Sequence, residues 1–161
     1  MSRTCTPPIC IRSGRALRAV RLLIGFLLWT YLLYASPSVA QVPPPITSSG
    51  LNTTITQNGN AYNITGGTRP GNGPNLFHSF GEFGVPTNNI ANFLNGMSFD
   101  LNGNQLAAGL PTSNILGRVT GGDMSNIFGT IQTTGFDNAN LFLMNPNGFL
   151  FGPNATVNVG G

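Results

Sequence analysis

The amino-acid sequence predicts an all-β fold, a β-helix of short stacked strands. Three observations carry the prediction. The apolar runs are short, aromatic-rich and bounded by turn residues, which is the pattern of buried strands. From Ile115 onward the strand starts recur every twelve to fifteen residues, at Ile127, Leu141 and Thr156. Gly and Asn recur at the strand ends, where stacked coils need tight corners. Strict apolar–polar alternation is weak, which counts against a simple barrel.

The chain divides near residue 40. Five of the seven basic residues, Arg3, Arg12, Arg15, Arg18 and Arg21, precede an apolar run, LLIGFLLWTYLLYA, at residues 22–35. Ser38-Val39-Ala40 then supplies a small-x-small site. This order describes a helical signal peptide over residues 1–40, cut between Ala40 and Gln41. Fourteen residues fall short of the roughly 20 that a membrane span needs. Cys5 and Cys10 lie in the same segment, so the mature chain has no disulfide and no thiol nucleophile. The net charge of +3 and the pI near 9.4 also come from it. Residues 41–161 hold two basic residues, Arg69 and Arg118, against four acidic ones, Glu82, Asp100, Asp123 and Asp137, a formal charge of −2. A nucleic-acid partner is therefore not expected.

Residues 41–161 contain 20 Asn, 20 Gly and no Lys. Ten phenylalanines in short clusters argue against disorder and for one domain of about 120 residues. Residues 41–45, QVPPP, form a stiff, Pro-rich leader. Ile46 to Ile64 reads as polar strands, with Asn58-Gly59 as a hairpin turn. Gly66 to Pro74 is a loop. Leu76 to Phe83 places Phe77, Phe80 and Phe83 three apart, but Gly81 and Gly84 oppose a helix, so extended chain is expected. Ile90 to Leu94 and Met97 to Leu101 follow as strands. Ile115 to Thr120, Ile127 to Thr133, Leu141 to Met144, Phe149 to Phe151 and Thr156 to Val159 complete the set.

The turn Asn145-Pro146-Asn147-Gly148 separates two apolar runs. Pro146 presets φ at the second position of a turn, Asn147 and Gly148 tolerate positive φ, and Asn145 can hydrogen-bond the backbone two residues on. Asn145 and Asn147 are expected to fix the turn, with Asn147 in the left-handed region where valine would be strained by about 1–2 kcal/mol, and to stack with asparagines of neighbouring coils, satisfying buried backbone. Phe149 and Phe151, close to the last residue of the sequence, are expected to be less than fully buried.

Several stretches in order are distinctive. They are Leu76-Phe77-His78-Ser79-Phe80-Gly81-Glu82-Phe83, Ile115-Leu116-Gly117-Arg118-Val119-Thr120-Gly121-Gly122 and Ser125-Asn126-Ile127-Phe128-Gly129-Thr130-Ile131. Ala139 through Gly148, ANLFLMNPNG, follows, then Gly152-Pro153-Asn154-Ala155 and Val157-Asn158-Val159-Gly160-Gly161. Together, behind a signal peptide, they resemble the N-terminal two-partner-secretion domain of filamentous haemagglutinin-type adhesins, most closely the cyanobacterial versions. The resemblance covers residues 46–161. It implies a right-handed parallel β-helix with N-terminal cap strands. It implies passage through the Sec machinery, cleavage by signal peptidase, and recognition by the periplasmic domains of a partner outer-membrane transporter. The product would be secreted or held at the cell surface, with adhesion located further downstream. It also implies more strands than are present, so the domain is expected to be incomplete at Gly161.

Catalytic chemistry has little support. The lone His78 sits in an aromatic cluster, and a triad needs a carboxylate partner that the sequence does not place. No two acidic residues are close in sequence, as a paired-carboxylate hydrolase would favour. Asp123 and Asp137 on adjacent coils would be the exception, as in a carbohydrate-active β-helix enzyme. Gly121-Gly122-Asp123 begins a Ca²⁺-binding repeat that Met124 and Ser125 do not continue. No catalytic residue, metal site or cofactor is expected. Three Asn-x-Thr acceptor patterns, at Asn52, Asn63 and Asn154, are attributed to the Asn- and Thr-rich composition. Two other readings are the carbohydrate-active enzyme and a truncated fragment without function.

Overall fold

The computed structural model describes residues 45–160. The signal peptide, the Ala40–Gln41 cut and the leader as far as Pro44 lie outside the described residues. The described chain is all-β. Its strands are β1 (Ile46–Ser48), β2 (Thr53–Asn58), β3 (Ala61–Gly66), β4 (Asn75–Phe83), β5 (Ile90–Leu94), β6 (Ser98–Phe99) and β7 (Gln105–Leu106). There follow β8 (Asn114–Val119), β9 (Ser125–Ile127), β10 (Thr130–Thr134), β11 (Asn140–Met144), β12 (Phe149–Phe151) and β13 (Thr156–Asn158). Among the described residues no helix is long and apolar enough to cross a membrane.

Three sheets are built mainly by parallel pairing. One runs β1-β4-β8-β11, another β13-β10-β5-β3-β2, and a third pairs β12 with β9. The chain visits them in the same order three times. The passes are β4, Val85, β5; then β8, β9, β10; then β11, β12, β13. Each pass lies in register on the one before: Asn75, Asn114 and Asn140 align, as do Ile90, Thr130 and Thr156. Val85 bridges Ile127, which pairs with Phe151. The repeat is therefore 26 residues between the last two passes, with three strands in each. The twelve-to-fifteen-residue spacing of the sequence is a fraction of a pass. The first interval is 39 residues, because the antiparallel β6–β7 hairpin is inserted there.

Antiparallel pairs occur at the start. β1 pairs with β4, and β2 pairs with β3. In the latter hairpin Asn58 faces Ala61, so the loop is Gly59-Asn60 and not Asn58-Gly59. Gly59 takes φ 59°, as the first loop residue of a primed turn requires. β4 is extended, as its glycines suggest, and a bulge resolves its three-residue aromatic spacing. Ser48 faces Phe80 while Ile46 faces Phe83, so two steps on β1 match three on β4. The extra residue turns both Phe80 and Phe83 inward.

The core lies among the first two passes and the strands that precede them, and includes Ile64, Phe80, Phe83, Val85, Phe93, Ile115, Val119 and Ile127. Phe80, Phe83 and Phe93 meet edge-on or stacked at 5.0 to 6.3 Å. Burying each such ring stabilises by about 1.5–3 kcal/mol. Leu141, Leu143 and Phe149 of the last pass are only partly buried, and Phe151 is exposed.

Burial alternates along β3, β8 and β11, against the sequence reading. In β11 Leu141 and Leu143 face the core while Phe142 and Met144 face out. Because the outward residues are apolar too, the period of two is hidden. The expected single strand Ile127 to Thr133 is also two strands. Phe128 and Gly129 both donate their N–H to the carbonyl of Val85, at 2.8 and 3.1 Å, and this breaks the ladder between β9 and β10.

Candidate functional site

Asn145-Pro146-Asn147-Gly148 joins β11 to β12 at a corner of the last pass. Pro146 and Asn147 occupy the central positions, and the Gly148 N–H donates to the Asn145 carbonyl at 3.0 Å. Asn145 Oδ1 accepts from the Asn147 N–H at 2.8 Å, so the side chain closes a second ring inside the turn. Positive φ is confined to Gly148, at 90°. Asn147 has negative φ, which corrects the expectation of a left-handed residue there. Asn at the first position, Pro at the second and Gly at the fourth fit a type I turn.

The turn is stitched to the corner beneath it. Asn145 Nδ2 donates to the carbonyl of Asp123 at 3.0 Å and to Ser125 Oγ at 2.9 Å. Asn147 Nδ2 donates to the carbonyl of Gly121 at 3.1 Å. The Gly121 N–H in turn donates to the carbonyl of Gly81, at 2.7 Å, one pass lower. The turn is thus tied to the β8–β9 corner, and that corner to the end of β4. The asparagines of the turn bond backbone and serine and not other asparagines, which corrects the expected stacking. Corner carbonyls have no strand partner, and an amide side chain satisfies them.

Asparagine stacking does occur on strands. Asn114 donates to Asn75 at 2.8 Å, and Asn140 donates to Asn114 at 3.1 Å. On another sheet Asn92 donates to Asn63 at 3.0 Å and accepts from Gln132 and Thr134. The signal for the first ladder was present in the sequence: Asn75-Leu76-Phe77, Asn114-Ile115-Leu116 and Asn140-Leu141-Phe142 repeat one pattern.

Beside the turn lies an open groove of about 720 Å³, lined by Arg118, Thr120, Leu143, Met144, Pro146 and Phe149 among others. Arg118 pairs in register with Met144. Phe142, Met144, Leu150 and Phe151 are each about half exposed on the strands that flank the turn. The surface here is apolar with one cation.

The other candidate residues do not assemble. His78 is buried, stacks on Phe80 and meets Phe93 edge-on. Its Nδ1 lies 3.3 Å from Thr53 Oγ1. Burial, helped by the positive Arg69, pushes its pKa down to about 3. It is a neutral core residue. Asp100 is held below the usual carboxylate range by hydrogen bonds from Asn104, Asn102 and Gly103 in an exposed loop. Among the described residues no group of three or more His, Cys, Asp or Glu could hold a metal ion.

No curated protein and no solved structure matches the chain. A family model described as the TPS secretion domain, where TPS stands for two-partner secretion, does match, over residues 42–161. That span takes in all three passes, the stitched corners and the Asn145–Gly148 turn, and the chain belongs to the family of two-partner-secretion domains, as a module of an exported protein.

Proposed function

We propose that the chain is the secretion and recognition module of a haemagglutinin-like adhesin, read by a partner outer-membrane transporter. The carrying observation is the family match over residues 42–161 directly behind a basic, apolar and small-residue leader. In this reading the Sec machinery exports the chain and signal peptidase cuts between Ala40 and Gln41. Residues 41–45 are a leader and residues 46–161 the module. The stacking of β4, β8 and β11, and of β5, β10 and β13, supports a right-handed parallel β-helix with β1 and β2 as its cap.

The module has no lysine, no cysteine and short strands, so it can cross a narrow pore extended. Each pass then closes on the one before, and coil-on-coil burial outside opposes return. Asn145–Gly148 supplies part of the signal that the transporter's periplasmic domains read. The exposure of Pro146 and Asn147 and the apolar residues around them support that role.

Co-expression with the transporter tests the reading. The exported chain is expected in the medium with Gln41 as its first residue by N-terminal sequencing. Retention in the periplasm despite a functional transporter overturns it. Replacing Asn145 and Asn147 by Ser separates recognition from folding. A variant that unfolds at the parental temperature yet is not exported assigns the turn to recognition. Equal loss of both leaves it with folding alone.

A further inference from the structure

Arg69 takes no part in that reading. Its side chain is fully buried. Nε donates to Ser98 Oγ at 3.0 Å, Nη1 to the carbonyls of Gly73 and Pro111 at 3.4 Å each, and Nη2 to Thr112 Oγ1 at 2.6 Å. All four acceptors are neutral, and none is a carboxylate. A buried ion without a counter-ion is strongly disfavoured until its hydrogen bonds are complete. Burial lowers the pKa of Arg69 as well, in keeping with that environment.

The four acceptors are scattered along the chain. Gly73 is four residues away, Ser98 is 29 away, and Pro111 and Thr112 are 42 and 43 away. The last three belong to the segment inserted between the first two passes. Backbone bonds hold that segment against the loop carrying Arg69. The Arg69 N–H donates to the Phe99 carbonyl at 2.7 Å, Phe99 N–H to Gly67 at 2.9 Å, and Ser113 N–H to Pro74 at 2.9 Å. Closing the segment removes water from the guanidinium. Three of its four acceptors come from that segment, so they surround the guanidinium only in the closed state.

We propose that Arg69 is a folding latch: its unbalanced charge raises the barrier to closure of residues 95–113, and its four hydrogen bonds hold the segment once it has closed. The domain therefore finishes folding late and then opens slowly. In an exported module this lengthens the time for which the chain stays threadable. That benefit rests on the export reading above, whereas the kinetic claim does not.

Refolding of the full 161-residue chain by dilution from urea tests the latch. Arg69→Met keeps the apolar stem and removes the charge. It is expected to refold about tenfold faster than the parent. An unchanged or slower rate overturns the proposal. Ser98→Ala and Thr112→Val keep the charge and remove acceptors. They are expected to unfold about tenfold faster and to refold within about twofold of the parent. If instead they mainly slow refolding, the bonds already exist at the barrier and the latch is refuted, even where Arg69→Met itself does not fold.

Discussion

The side-chain amide of Asn147 donates to the backbone carbonyl of Gly121, 3.1 Å away and one pass lower. The contact ties the turn to the corner between β8 and β9, so it is not merely a link between β11 and β12. Asn147→Ala is expected to cost about 1 kcal/mol, the net worth of one exposed hydrogen bond. Asn147→Val should cost a similar amount, because φ at this position is negative and the backbone is unstrained. Asn145→Ala should cost about 2 kcal/mol, since that residue bonds Asn147, Asp123 and Ser125 together. Urea unfolding midpoints of the three variants check the order. A valine at 147 far worse than alanine would show strain that this geometry does not contain.

The bend between β9 and β10 depends on Gly129. A Cβ there would run into the carbonyl oxygens of Asn89 and Pro86, neither of which is a flexible side-chain end. Gly129→Ala is expected to destabilise by about 3 kcal/mol or more. Gly122→Ala is the control, because nothing lies within 4 Å of its Cβ position. It should change stability by less than about 0.5 kcal/mol. Thermal unfolding of the two variants decides. Equal effects would mean that the β9–β10 corner is not packed as described.

What was legible in the sequence follows the range of the interactions concerned. β5 and β11 and the Asn145–Gly148 turn were readable because Pro146, Gly148 and short apolar runs act locally. The break at Gly129 was not, because it depends on carbonyls of Asn89 and Pro86 that only the previous pass brings near. The outward-facing Phe142 and Met144 hid the alternation of β11, since both faces read as apolar. Arg69 stood in a stretch that looked like open loop, and its partners lie up to 43 residues away. Asn145 was correctly expected to close the turn through the backbone two residues on, the N–H of Asn147. The same residue's amide reaches Asp123 and Ser125, 22 and 20 residues back, and no local rule places those.

Acid should weaken the fold through His78. Its imidazole is buried against Phe80 and Phe93, and its pKa falls from 6.5 to about 3, chiefly through desolvation and secondarily through Arg69. The folded state therefore keeps His78 neutral, whereas the unfolded chain takes up a proton below pH 6.5. The unfolded state binds more protons in this window, so stability rises with pH and is lost as pH falls from about 6.5 toward about 3. Between pH 7 and pH 5 the loss should be about 2 kcal/mol. Ordinary carboxylates titrate mostly below that range, which isolates the histidine. His78→Phe keeps a ring in the cluster and cannot ionise, so its stability should be nearly flat over the same interval. Arg69→Met relieves only the smaller cause of the shift, and most of the slope should persist in it. Urea unfolding of the three proteins at pH 7, 6 and 5 measures this directly. A slope that survives His78→Phe would place the acid sensitivity elsewhere in the chain.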